Sequence, residues 1–154
     1  MRSKYLLDSD VFMQASNLHY RFAFCSAFWD WIDREHDAGK IYSIDRVLKE
    51  IEEGKIGDLI PWAQARPTLF LKSADSKTME SLKHLGLWAS GNYDEASYEK
   101  FFAGADFVLV GFVRAHNYIV VTHETRGSKS KVKIPDACDA LGVKCINTWE
   151  LLEK

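Results

Sequence analysis

Four acids stand where a carboxylate needs explaining. Asp8 ends the stretch Lys4-Tyr5-Leu6-Leu7-Asp8-Ser9-Asp10-Val11-Phe12, at the mouth of what reads as a short apolar strand. Glu50 sits in Val47-Leu48-Lys49-Glu50-Ile51, Asp106 opens the very apolar Phe107-Val108-Leu109-Val110, and Glu124 follows Val120-Val121-Thr122-His123. A desolvated carboxylate is costly unless something pairs with it. Two of them about 5 Å apart repel by roughly 3 kcal/mol at an effective dielectric of about 20. Acids gathered in one place are tolerated when a cation neutralises them. Magnesium and manganese, which take hard oxygen ligands and fill the remaining positions with water, suit such a donor set.

Each acid also has a plainer reading. Asp8 or Asp10 could cap a helix. Val47, Leu48 and Ile51 face inward, with Glu50 and Glu52 flanking them on opposite sides. The helical wheel does not choose between the two, and a solvated acid accounts for either. Asp106 in the first turn of a helix is favoured by the helix dipole, although its neighbours Ala103, Gly104 and Ala105 leave room for something to approach. Position argues for a shared site. Asp8 and Glu124 fall just past strand ends, where open α/β sheets collect ligands, and Glu50 and Asp106 lie on helices that begin at that same end.

The elements that must position these acids alternate. Strands are expected over 5–7, 40–44, 68–71, 118–122 and 143–146. A helix capped by Ser9 or Asp10 should start near Val11 and be interrupted at Asn17 and His19. An aromatic stripe over 22–32 recurs at helical spacing up to a stop at Gly39, and reads as core or as a packing surface. Asp45 should cap a helix over 46–53 closed by Gly54, and a further helix over 57–63 ends before Pro67. Helices over 76–88 and 94–102 should be joined by a Ser90-Gly91-Asn92 turn. Residues 107–113 have strand composition, but a strong strand follows almost at once, so a helix buried all round is the better reading. A helix over 134–141 has Pro135 at its start and Gly142 at its stop, and Thr148 should cap a terminal helix. This alternation predicts one α/β domain over 1–154, with a mostly parallel sheet of about five short strands covered by helices on both faces.

A chain of 154 residues, 47% hydrophobic, can bury a proper core. Net charge is −2, from 20 basic and 22 acidic residues, so the molecule as a whole is not a basic nucleic-acid binder. Locally, Arg126, Lys129, Lys131 and Lys133 follow Glu124; they could neutralise RNA phosphates or form a solvated loop. His123 could reach a phosphate or be structural, and His19, His36, His84 and His116 show no pairing pattern. The opening residues lack a signal-peptide pattern, and the longest apolar run is too short to cross a bilayer, so a soluble cytoplasmic protein with no membrane partner is expected. Cys25, Cys138 and Cys145 are odd in number and lack zinc spacing, which points to reduced thiols.

Together these stretches resemble the PIN domain, the nuclease fold of VapC-type toxins. The match runs through Tyr5-Leu6-Leu7-Asp8-Ser9-Asp10, Ser43-Ile44-Asp45-Arg46-Val47-Leu48-Lys49-Glu50, Gly104-Ala105-Asp106-Phe107 and Val120-Val121-Thr122-His123-Glu124. Lys133-Ile134-Pro135-Asp136-Ala137-Cys138 and Leu141-Gly142-Val143 further resemble a PIN-like subfamily long catalogued as a domain of unknown function. The resemblance places the family's acids on Asp8, Glu50, Asp106 and Glu124, which chooses Glu50 over Glu52. It implies an endoribonuclease dependent on Mg2+ or Mn2+, in which Ser9 and Thr122 could orient the carboxylates, or Thr122 be only a strand residue, and in which Asp10 could add a ligand or serve only as a cap. It also implies the toxin of a type II toxin–antitoxin pair, with RNA as substrate, a cognate antitoxin as partner and room for a homodimer. Two positions depart from the family pattern: Glu124 stands where aspartate is usual, and Asp10 where asparagine or serine is common.

Two rivals come from other classes. A PIN-like domain can serve as a non-catalytic RNA- or protein-binding module. An aspartate-nucleophile phosphatase also begins with a strand and Asp-x-Asp, here Asp8 and Asp10, but Phe12 stands where that pattern wants threonine or valine.

Overall fold

The computed structural model describes residues 3–19 and 25–154, with Leu18 and His19 described by their backbone alone. Its centre is β1 (Tyr5–Leu7), every residue of which is buried. Successive side chains of a strand face opposite sides, so complete burial means both faces are covered. Around it lie β2 (Ile41–Ile44), β3 (Phe70–Leu71), β4 (Ile119–Val121) and β5 (Cys145–Ile146), in the order β3-β2-β1-β4-β5 with every pairing parallel. This is the α/β architecture expected from the alternation of elements.

The order of the strands creates the site. The chain builds outward from β1 to β2 and β3, then returns to the other side of β1 to lay down β4 and β5. Such a reversal opens a crevice at the carboxyl ends of the two strands that flank it, here β1 and β4. Leu7 is in register with Val121, so Asp8 and Thr122 leave the sheet side by side. The Asp8 N–H continues the ladder to the Val121 carbonyl at 3.0 Å, and the Thr122 N–H to Ile146 at 2.9 Å.

Parallel strands need crossovers, and the helices provide them. They are α1 (Ser9–Gln14), α2 (Ser26–Asp37), α3 (Asp45–Glu53), α4 (Leu59–Gln64), α5 (Ser76–Asn92), α6 (Glu95–Ala103), α7 (Ala105–His116), α8 (Ile134–Leu141) and α9 (Thr148–Leu152). The apolar run after Asp106 is indeed helical. In α7, residues from Val108 to Val113 are buried on all sides. Gly111 faces α5 so closely that a Cβ there would run into the Leu82 side chain. A bare Cα at that position lets the two helices meet.

Several local expectations are corrected. Of the candidate caps for α1, Asp8 takes the role, its carboxylate accepting the Ser9 N–H at 2.7 Å, whereas Ser9 and Asp10 already lie inside the helix. α1 ends at Gln14, ahead of Asn17 and His19, and the chain goes on there as a π-helix over Ala15–His19. Ser90-Gly91-Asn92 is not a turn. The Ser90 hydroxyl donates to the Leu87 carbonyl and the Asn92 amide to that of Trp88, so these residues stay in α5, and the break falls at Tyr93-Asp94, where Asp94 caps α6. Asn147, not Thr148, caps α9 through a reciprocal capping box with Glu150. Of the aromatic stripe over 22–32, residues 22–24 lie outside the described residues; Phe28, Trp29 and Ile32 are buried core. Cys25, Cys138 and Cys145 are free thiols. Among the described residues no helix is long and apolar enough to cross a membrane.

Candidate metal centre

Asp8 is fixed first. It is 3% exposed, and both of its oxygens are engaged: Oδ1 takes the Ser9 N–H, and Oδ2 takes the Thr122 hydroxyl at 2.9 Å. The Ser9 hydroxyl donates at 2.8 Å to Glu50 Oε2, so one small side chain between β1 and α3 positions the glutamate. The other glutamate oxygen, Oε1, accepts the Ala105 N–H at 3.1 Å. Gly104, which precedes α7, has no side chain with which to cap it. Glu50 therefore caps α7 from a distant part of the chain and thereby brings Asp106, in the first turn of α7, toward the crevice.

The same device recurs past β4. The Thr122 hydroxyl lies 3.3 Å from Asp10 Oδ2 and accepts the Glu124 N–H at 3.2 Å. The His123 N–H donates to the Asp10 carboxylate at 3.2 Å. Glu124 Oε2 takes the Ile134 N–H at 2.8 Å, which ties the acid to the start of α8. Three helix amino ends, those of α1, α7 and α8, thus hold Asp8, Glu50 and Glu124. Their partial positive charge offsets part of the repulsion among the acids. The plain capping reading and the shared-site reading prove compatible, since the caps are what aim these acids.

Asp106 is different. It is half-buried, and among the described residues nothing donates a hydrogen bond to its carboxylate. Burial, followed by the charges of Glu124, Glu50 and Asp10, pushes its pKa up to about 7, with Lys131 opposing the shift. Burial likewise raises Asp8 well above the ordinary carboxylate value, reinforced by the Asp10 and Asp106 charges and by a hydrogen bond shared with Asp10, while the Thr122 hydroxyl pulls it down. These mutual effects place Asp8, Asp10, Glu50, Asp106 and Glu124 around one region. Among the described residues, no three histidine, cysteine or carboxylate groups stand at a spacing already set for an ion. The donor chemistry nonetheless fits a hard divalent cation: the groups are all carboxylate oxygens, and the half-buried Asp106 carboxylate takes no hydrogen bond among the described residues.

The basic stretch after Glu124 divides. Arg126 forks the Asp139 carboxylate at 2.6 and 3.0 Å, so its guanidinium is already engaged. Lys129 lines a separate cavity, beside Trp88 and Tyr93. Lys131 lines the cavity that contains Glu50 and Asp106, and Lys133 sits at the amino cap of α8. The loop is tied down at Arg126, at Gly127 (whose N–H donates to Asp136) and at Ser130. The His123 ring pairs with the Thr148 hydroxyl at 2.9 Å, and His116 with Asp75 at 3.0 Å, which gives both structural partners. Thr122, open in the sequence as an orienting group or an ordinary strand residue, is the knot joining Asp8, Asp10 and Glu124. The Ala105 N–H, Ser97 and Lys100 carry no signature in the sequence. No local signal could have found these, because each faces the site only through α6–α7 packing.

An open parallel α/β sheet with carboxylates collected at its point of strand reversal defines the class. Within it, the chain belongs to the family described as Domain of unknown function (DUF4411), which matches residues 5–154. No curated protein and no solved structure matches it.

Proposed function

We propose that this chain is a divalent-metal-dependent endoribonuclease of the PIN-like kind, hydrolysing RNA phosphodiesters, with Asp8, Glu50, Asp106 and Glu124 holding Mg2+ or Mn2+. The observation that carries this reading is Asp106: a half-buried carboxylate that takes no hydrogen bond among the described residues, facing acids drawn from three other parts of the chain. When bound, the ion supplies Lewis acidity, lowering the pKa of a water and neutralising phosphate charge. The protein contributes orientation. Ser9 and the Ala105 N–H hold Glu50, Thr122 holds Asp8 and Asp10, and the helix starts fix Asp8 and Glu124. By resemblance, the same reading extends to a toxin whose cognate antitoxin covers this crevice.

A second reading has its own support. Asp8, Glu50 and Glu124 each hold a helix end, a role they would keep in a non-catalytic RNA- or protein-binding module. An aspartate-nucleophile phosphatase is disfavoured, because both Asp8 oxygens are engaged and the side chain is buried. Incubating purified protein with mixed-sequence RNA in Mg2+ or Mn2+, and in parallel with EDTA, separates the two. Cleavage that EDTA abolishes is expected, with 5′-phosphate products. Intact RNA in both metals leaves the binding module.

A further inference from the structure

A cavity of about 410 Å3 opens beside the acids. Glu50 and Asp106 lie along it, α6 contributes Ser97 and Lys100, and the loop past β4 contributes Ser130 and Lys131. The two walls are strapped together: the Ser97 hydroxyl donates to the Ser130 carbonyl at 2.7 Å. The loop is anchored further by the fully buried Val132 and by the Arg126 fork to Asp139. Both lysines are exposed, and among the described residues neither is held in an ion pair.

Cations on the rim and acids within give the cavity a direction. A bare polyanion is attracted by the lysines and repelled by the carboxylates, so it can be held at the rim while only a neutralised phosphate advances. The volume is that of a small-ligand pocket, room for about one nucleotide and far too little for a duplex. We propose that Lys100 and Lys131 form a phosphate clamp, strapped shut by Ser97 and Ser130, that seats the phosphate next to the scissile one on a single-stranded RNA. The clamp rests on the ribonuclease reading for the meaning of "scissile", but its binding step does not need cleavage. Lys100 and Ser97 are then positioning residues that no motif announced.

The test measures binding of a short, labelled, mixed-sequence single-stranded RNA in EDTA over a salt series, alongside steady-state cleavage in Mn2+. Lys100→Gln and Lys131→Gln should each weaken binding by about tenfold at low salt and reduce the slope of log affinity against log salt by about 0.7. In cleavage, each should raise KM and leave kcat within about twofold, the signature of lost uniform binding. Ser97→Ala should weaken binding by about threefold, through loss of one hydrogen bond. Lys83→Gln, an exposed lysine on α5, should change nothing. Wild-type affinity and salt slope in both clamp variants, or no RNA binding by the wild type, would overturn the clamp. RNA held through these lysines but never cut by the wild type in either metal removes the ribonuclease reading and leaves the clamp standing.

Discussion

The two ends of the same sheet make opposite use of their openings. At the amino end, a cavity of about 550 Å3 is lined by Lys4, Asn117, Tyr118 and Lys144, and is larger than the one beside the acids. Two of the side chains that line it, His116 and Lys4, are engaged elsewhere. His116 pairs with Asp75, and the Lys4 ammonium lies 5.8 Å from the Tyr42 ring centroid and 5.9 Å from that of Tyr118. At the carboxyl end, acids crowd together, and Asp106 has no donor. The larger cavity is thus not the one that gathers the carboxylates. The strand reversal between β1 and β4 explains why that charge lies at the carboxyl end, since the crevice opens there and the α1 and α7 amino ends face it.

The sharpest break in this contrast comes from Asp106→Asn. Loss of the carboxylate should lower RNA cleavage on the order of 100-fold or more. It should also raise the melting temperature in EDTA near pH 8, because a repelled charge is removed while the shape is kept. Turnover within twofold of wild type would remove Asp106 from the chemistry.

Next in size is the pH dependence of the metal-free protein. Asp106 titrates at about 7 when folded, against an ordinary value of 3.8. Between those values the folded state holds a proton that the unfolded state has lost, so stability must fall as pH rises. The contribution is full below about pH 4 and gone above about pH 7, and the Asp8 shift adds in the same direction. Thermal melts in EDTA should show this decline, and millimolar Mg2+ or Mn2+ should flatten it by binding the ionised acids. A melting temperature indifferent to both pH and metal would count against a shared acidic site.

The smallest effect is expected at the other end. Lys4→Gln should cost about 0.5–1 kcal/mol, the worth of an exposed cation–π contact, and leave cleavage unchanged. A severalfold loss of activity there would dissolve the distinction between the two ends.

Much of this was legible in the chain itself, and the reason differs by element. Tyr5 to Leu7, Val120-Val121 and the Gly142 stop announce themselves through composition and local stereochemistry, which act over a few residues. Residues 107–113 needed the next strand to settle their state, since an apolar run carries no period of its own. Ser90-Gly91-Asn92 misled because turn-forming residues were overridden by side-chain bonds back onto α5 and by its packing on α7. The caps of α3 and α9 each shifted by one residue, to Ile44 and Asn147, as helix boundaries do.

By itself, the sequence determined that strands alternate with helices, that acids stand just past strand ends, and that the net charge of −2 argues against a basic surface overall. Only the tertiary structure decided which acids face one another, that Glu50 caps α7 while Glu124 caps α8, and that Arg126 is taken by Asp139 whereas Lys131 turns toward the acids. The physical reason is range. Propensity and hydrophobic periodicity act between neighbours along the chain, whereas burial, carboxylate repulsion and a hydrogen bond from Ala105 to Glu50 exist only once the crossovers have brought distant segments together.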